Sequence, residues 1–285
     1  MKLLRIRAPE GPVPALLEAP GQARSLAGVV SDITPDTLPY LPATLARLDI
    51  AALPGLGFVE TDLLPPVARP RNVWCIGLNY SDHAAESGMA IPAEPILFNK
   101  SSATYCGAFD PILHLPEMTK LDWEVELGVF IGKRALRISE AEALDHVFGY
   151  TVVNDVSERA WQIERGGQWV KGKSFPNFCP TGPVVVTRDA VGDVQSLGLW
   201  LDVNGQRRQT GTTAKMIFGV AEIVAYMSTF CQLEPGDLIC TGTPPGVGLG
   251  MKPPRYLAPG DVVTLGIDGL GAQRQTVTPI AERAR

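Results

Sequence analysis

The sequence predicts a strand-rich fold with short helices, and three observations carry that expectation. Twenty-five prolines and 29 glycines among 285 residues favour turns over long helices. Apolar runs of strand length recur, at residues 72–78, 148–154 and 197–203, each bounded by turn formers. Helical patterning is limited to short stretches, at residues 42–48, 139–145, 158–165 and 216–230 and at a helix opening near 83–86. A hydrophobic share of 45% and a charged share of 19% are those of a globular chain, which sets disorder aside.

Taken in order, the chain opens on Met1-Lys2-Leu3-Leu4-Arg5-Ile6-Arg7, a strand pattern with no signal-peptide core. No apolar run is long enough to span a bilayer, so a cytoplasmic protein without membrane contact is expected. The proline-rich stretch Leu64-Pro65-Pro66-Val67-Ala68-Arg69-Pro70 reads as the end of a small N-terminal domain, residues 1–70, ahead of a larger one at 71–285. The net charge is −5 and no basic tract appears, which argues against a nucleic-acid surface. Five cysteines without CxxC spacing read as reduced, mostly buried thiols rather than a disulfide framework or zinc site.

Chemistry-bearing residues begin after the proline-rich stretch. The strand at 72–78 runs into Asn79-Tyr80-Ser81-Asp82-His83-Ala84-Ala85-Glu86, whose last residues look like a helix opening. There His83 and Glu86 are neighbours three apart, and a carboxylate beside an imidazole orients it and raises its basicity, as a general base requires. An exposed, glutamate-paired helix histidine has the same spacing. The strand after Glu94 ends in Lys100 and two serines.

In Asp122-Trp123-Glu124-Val125-Glu126-Leu127-Gly128-Val129-Phe130-Ile131 the alternation of a strand puts Glu124 and Glu126 on one face. Two adjacent carboxylates repel unless a cation lies between them, so the pair is either a solvated strand face or part of a hard-cation site. Asp155, delivered by the end of the next strand, is a third oxygen ligand, an N-cap paired with Glu158, or both. Gly167-Gln168-Trp169-Val170-Lys171-Gly172-Lys173-Ser174 matches the P-loop letters by coincidence, because Pro176 and Pro180 prevent the helix a P-loop must open. Lys173 keeps a separate interest as a cation for an oxyanion. The glycine-rich run Thr241–Gly250 is followed by Pro253 and Pro254 rather than a helix, which excludes a Rossmann reading and leaves an anion-binding loop with Thr243.

Gly77-Leu78-Asn79-Tyr80 with His83 and Glu86, Glu124-Val125-Glu126, Asn154-Asp155, Gly172-Lys173-Ser174-Phe175, Thr241-Gly242-Thr243-Pro244 and Pro259-Gly260-Asp261 together resemble the fumarylacetoacetate hydrolase family from about residue 72 to the end. The resemblance implies a mixed β (α+β) fold with a rolled sheet, a Mg2+ or Mn2+ ion and a homodimer. It implies cleavage of a carbon-carbon bond in an acylpyruvate or related 2,4-diketo acid. Decarboxylation or isomerisation on the same scaffold is the alternative, and a non-catalytic ligand-binding protein a more distant one. Position by position it implies Glu124, Glu126 and Asp155 as metal ligands, His83 and Glu86 as the water-activating pair and Lys173 at the oxyanion. Arg159, Gln162 and Thr243 would hold substrate, with Lys100 supporting the site. The texture of Ser157-Glu158-Arg159, Glu164-Arg165-Gly166-Gly167-Gln168-Trp169 and Gly242-Thr243-Pro244-Pro245-Gly246 is similar to members described as diketo-deoxy-sugar-acid hydrolases or ureidoglycolate lyases. Pro176-Asn177 departs from the aspartate that often follows Lys-Ser-Phe.

Overall fold

The computed structural model describes residues 1–82 and 90–280. Its strands are β1 (Lys2–Ala8), β2 (Gly11–Ala19), β3 (Gln22–Ser25), β4 (Gly55–Gly57), β5 (Leu63–Leu64), β6 (Val73–Gly77) and β7 (Ile96–Lys100). There follow β8 (Tyr105–Gly107), β9 (Ile112–His114), β10 (Leu121–Asp122), β11 (Val125–Ile131), β12 (Val147–Asn154), β13 (Ser157–Glu158) and β14 (Cys179–Thr187). The last five are β15 (Gly198–Val203), β16 (Gln206–Thr212), β17 (Leu238–Cys240), β18 (Val262–Ile267) and β19 (Gly271–Pro279). Helices are short, and the longest among the described residues is Val220–Phe230. The fold is mixed α+β, as expected. None of these helices is long and apolar enough to cross a membrane.

The principal sheet runs β4-β3-β2-β1-β14-β12-β11-β17-β6-β7. From β7 the chain passes through the turn Ser102–Thr104 into β8, which pairs in parallel with β14, so the chain returns from the edge of the sheet to its middle, as a rolled sheet requires. A five-stranded sheet, β16-β15-β18-β19-β9, packs against it. Strands β11 and β12 are buried along their whole length. Such continuous apolar runs are what strands covered on both faces require.

The strands of residues 1–70 extend the same sheet, since β1 pairs with β14 through Lys2↔Val186 and Leu3↔Val185. Leu4 and Ile6 join the core of Val125, Leu127 and Val129, whereas Leu3 and Leu16 join that of Phe130 and Val153. The N-terminal unit therefore shares both sheet and core with the rest. Within the unit, buried Arg5 holds the strand to the following loop, with Nε and Nη2 each 2.7 Å from an Asp32 carboxylate oxygen.

The hairpin signal Asn204-Gly205 forms as expected, with φ of 51° and 73° at the turn joining β15 to β16. Two expectations are corrected. The helix read from Met216 begins at Val220, because Asn79 holds the preceding residues extended: its backbone carbonyl accepts from Ile217 N–H at 2.8 Å, and its side-chain amide brackets Phe218 at 2.9 and 3.0 Å. Asp155 caps no helix, since the turn Arg159–Ile163 is capped by Glu158, whose carboxylate accepts from Ala160 N–H. That leaves Asp155 free for the site.

Candidate metal centre

Four neighbouring strands place their ends at one edge of the roll. Strand β12 is antiparallel to β11, β11 is antiparallel to β17, and β17 is parallel to β6. The start of β11 thus meets the ends of β12, β17 and β6. Val125 pairs with Asn154, and just beyond them Asp155 N–H donates to the Glu124 carbonyl at 2.9 Å. Glu124 and Glu126 both face the cavity at this edge, while Val125 is buried among core residues. One oxygen each of Glu124, Glu126 and Asp155 lies within 4.8 Å of the others. All three side chains are buried. The convergence read from spacing is present, and the strand itself starts one residue after Glu124.

Three cations surround the carboxylates. Lys173 Nζ sits between two of them, 2.6 Å from Glu124 and 2.7 Å from Asp155. Lys100 bonds the other oxygen of Asp155 and, at 3.0 Å, the Val156 carbonyl. Arg159 reaches Glu124 at 2.5 Å, Asp122 at 2.8 Å and the Gln162 amide oxygen at 3.0 Å. Glu126 accepts from Gly242 N–H at 2.8 Å. Arg159, Gln162, Thr243 and Lys173 all line the cavity, and Lys100 stands behind Asp155.

The Thr243 hydroxyl donates to the Val125 carbonyl and accepts from the Gln209 amide, so it ties the glycine-rich loop to β11. The anions that this loop's amides hold are the protein's own: Gly242 N–H binds Glu126, and Gly248 and Leu249 N–H bind Asp122. The P-loop letters form no phosphate loop, since Lys173 closes the short helix Val170–Lys173. His83 and Glu86 lie outside the described residues. His114 and His146 are on β9 and on the turn Leu144–His146, and neither lines the cavity.

Electrostatics separate the carboxyls. Burial pushes the Glu124 carboxyl up, but the charges and hydrogen bonds of Arg159 and Lys173 outweigh it and hold the group at about 2. Glu126 has only the Gly242 amide bond and a more distant Lys173 to set against burial and the charges of Asp155 and Glu124, so it is raised well above the carboxylate range. A divalent cation held by this cluster would compete with protonation of Glu126. Below the raised value affinity is expected to climb about tenfold per pH unit, and above it to level off. Calorimetric titration of Mg2+ in buffers of different ionisation enthalpy, repeated across the pH range, should report proton release that fades as pH rises through the raised value; no proton release at any pH would remove Glu126 as the titrating ligand.

Asp122 and Gln209 are site-building residues that sequence reasoning passed over. Asp122 is fully buried and joins Arg159 to the glycine-rich loop; its spacing of two from Glu124 was the available signal. Gln209, on exposed-looking β16, bridges Val125 N–H, Thr243 and the Pro244 carbonyl across 84 and more than 30 residues, and no local pattern marks it.

The position of Lys173 depends on Gly172. A Cβ there would lie 2.4 Å from the Glu158 carbonyl and 2.5 Å from Gln162 N, which only glycine avoids. Gly172→Ala is expected to cost about 1–3 kcal/mol of stability and to displace Lys173 from its two carboxylates. Urea unfolding alongside steady-state kinetics would show both, and unchanged values would mean that the two turns can part freely.

The profile of the family described as Fumarylacetoacetate (FAA) hydrolase C-terminal matches residues 72–278. A Burkholderia multivorans protein provisionally named a hydrolase is 53% identical over 277 residues, covering 96% of this chain and 98% of its own. A fumarylacetoacetate hydrolase from the psychrophile Exiguobacterium antarcticum superposes with a TM-score of 0.87 at 38% identity, over 98% of this chain and 100% of that one. A 2-hydroxyhepta-2,4-diene-1,7-dioate isomerase from Mycobacterium marinum does so with 0.80 at 32%, over 99% and 100%.

Proposed function

The chain belongs to the fumarylacetoacetate hydrolase family, and on that premise we propose that it is a divalent-metal-dependent hydrolase that cleaves a carbon-carbon bond in an acylpyruvate or other 2,4-diketo acid. The observation that carries this reading is the buried cluster of Glu124, Glu126 and Asp155 at the floor of a cavity of about 690 Å³. The donor set fits the ion: three hard carboxylate oxygen ligands, drawn from adjacent strand ends, suit Mg2+ or Mn2+ and not a soft metal. When bound, such an ion polarises a keto oxygen and supports enolate charge.

Charge balance favours an acid as substrate. Around the floor four carboxylates, Asp122, Glu124, Glu126 and Asp155, face three cations, Lys100, Arg159 and Lys173. With Glu126 ionised, one divalent ion turns the set's single negative charge into a single positive one, which one substrate carboxylate neutralises. Lys173 lines the cavity and would present its ammonium to the oxyanion formed at the attacked carbonyl. Arg159 would hold Glu124 in place and, with Gln162 and the Thr243 segment, shape the acid end. His83, oriented by Glu86, would take the proton of the attacking water.

A metal-dependent screen of acylpyruvates and sugar-derived diketo acids that follows release of pyruvate and of the partner acid tests the reaction. His83→Ala is expected to lower hydrolysis by roughly two to four orders of magnitude. If a decarboxylation or isomerisation survived His83→Ala while no partner acid appeared, the alternative activity would replace hydrolysis; the isomerase among the structural neighbours makes that comparison worthwhile. The same reading carries a cytoplasmic homodimer, which sedimentation would report as twice the chain mass.

A further inference from the structure

Away from the ion cluster the cavity wall is largely apolar, with the exposed Lys252 its one charged side chain among the described residues. Ile76, Phe98, Ile163, Trp169, Leu249 and Met251 line it, and the Thr243 hydroxyl nearby is already engaged on both sides. The wall is built rather than incidental. The Trp169 indole packs against the backbone of Gly77, where a Cβ would come within 2.5 Å of the ring, and it meets Phe98 edge-on at 5.2 Å. Any side chain at residue 77 would expel that ring. Lys173 Nζ stands 5.4 Å from the Phe98 centroid, so the aromatic wall starts where the ion cluster ends. At the outer end Ile163 and Leu249 are 52% and 39% exposed, two large apolar side chains that the described residues leave uncovered.

We propose that the acyl group of the substrate is an apolar chain or ring that lies along Trp169 and Phe98 and reaches Ile163 and Leu249, and that Trp169 sets this specificity. The inference rests on the diketo-acid reading for the head group. A tail of several carbons would replace water on these side chains. A polyhydroxylated tail would instead desolvate its hydroxyls against Ile76, Phe98 and Trp169, none of which offers a hydrogen bond from its wall-facing carbons. The sugar-acid substrates suggested by the sequence texture are therefore disfavoured.

The test is calorimetric titration of the Mg2+-loaded full chain with straight-chain 2-oxo acids from four to eight carbons, and with a polyhydroxylated six-carbon 2-oxo acid. Affinity is expected to rise about fourfold per added methylene, with the polyhydroxylated acid at least about tenfold weaker than its alkyl counterpart. Trp169→Ala should flatten the series, and Ile163→Ser, at an exposed position where folding is not at stake, should flatten its long end. A flat wild-type series, tighter binding of the polyhydroxylated acid, or variants that keep the full slope would overturn the proposal. Acylpyruvates of the same tail lengths separate the two readings. Cleavage with no dependence on tail length leaves the hydrolase standing and removes the apolar tail site, whereas a steep binding series without cleavage of any diketo acid does the reverse.

Discussion

Glu126→Gln is expected to abolish divalent-metal binding at millimolar Mg2+ or Mn2+ and to lower kcat/KM by roughly three orders of magnitude or more, while the protein stays folded. The substitution keeps the shape of the side chain and an oxygen able to accept from Gly242 N–H, so β11 and the glycine-rich loop should stay joined. What it removes is the negative charge that Glu126 would bring to a bound cation, a charge that burial, Asp155 and Glu124 oppose when no cation is there. Thermal stability without metal should therefore be unchanged or slightly higher. Calorimetry with each ion, thermal melts with and without metal, and kinetics give the three readouts. Wild-type metal affinity in this variant would remove Glu126 from the ligand set.

Lys173→Met should have its largest effect in the opposite state. In the metal-free protein the ammonium is buried and bridges Glu124 and Asp155 at 2.6 and 2.7 Å. Removing it leaves one oxygen of each carboxylate buried without its partner, which costs about 3–5 kcal/mol. For a chain of this size that is roughly 5–8 °C in melting temperature. A bound divalent cation would supply part of the missing positive charge, so added metal should stabilise Lys173→Met more than the wild type. Turnover should fall by about two to three orders of magnitude even in the metal-loaded variant, because the oxyanion loses its cation. A metal-free variant that melts with the wild type would show that Arg159 and Lys100 alone suffice to hold the carboxylates.

The carboxylate cluster was legible because its residues come from short, local patterns. Alternation along a strand is enough to put Glu124 and Glu126 on one face, and Asp155 follows a run whose apolar residues mark it as a strand leading to an edge. Pattern does less well where distant segments compete. The helix over 216–230 loses its first turn to Asn79, more than 130 residues away, which offers Ile217 and Phe218 better hydrogen bonds than a helix start would. Asp155 and Glu158 have capping-box spacing, but a bend at Val156 and the short pairing of β10 with β13 intervene, so Glu158 caps the turn alone. Gln209 carries no mark at all, because its whole role is to satisfy groups on two other segments.

By itself the sequence determined a strand-rich α+β chain, a carboxylate set suited to a hard cation, and the family to which these blocks belong. Those follow from local backbone preference and from side-chain chemistry, both of which are written residue by residue. Only the tertiary structure decided that residues 1–70 complete the same sheet, that Lys173, Lys100 and Arg159 share out the oxygens of Glu124 and Asp155 and leave Glu126 to a backbone amide, and that Trp169 is pressed onto Gly77 as the wall of the cavity. Each depends on contacts between residues dozens of positions apart, and on burial, which turns such contacts into shifts of charge and into an apolar surface that a substrate can cover.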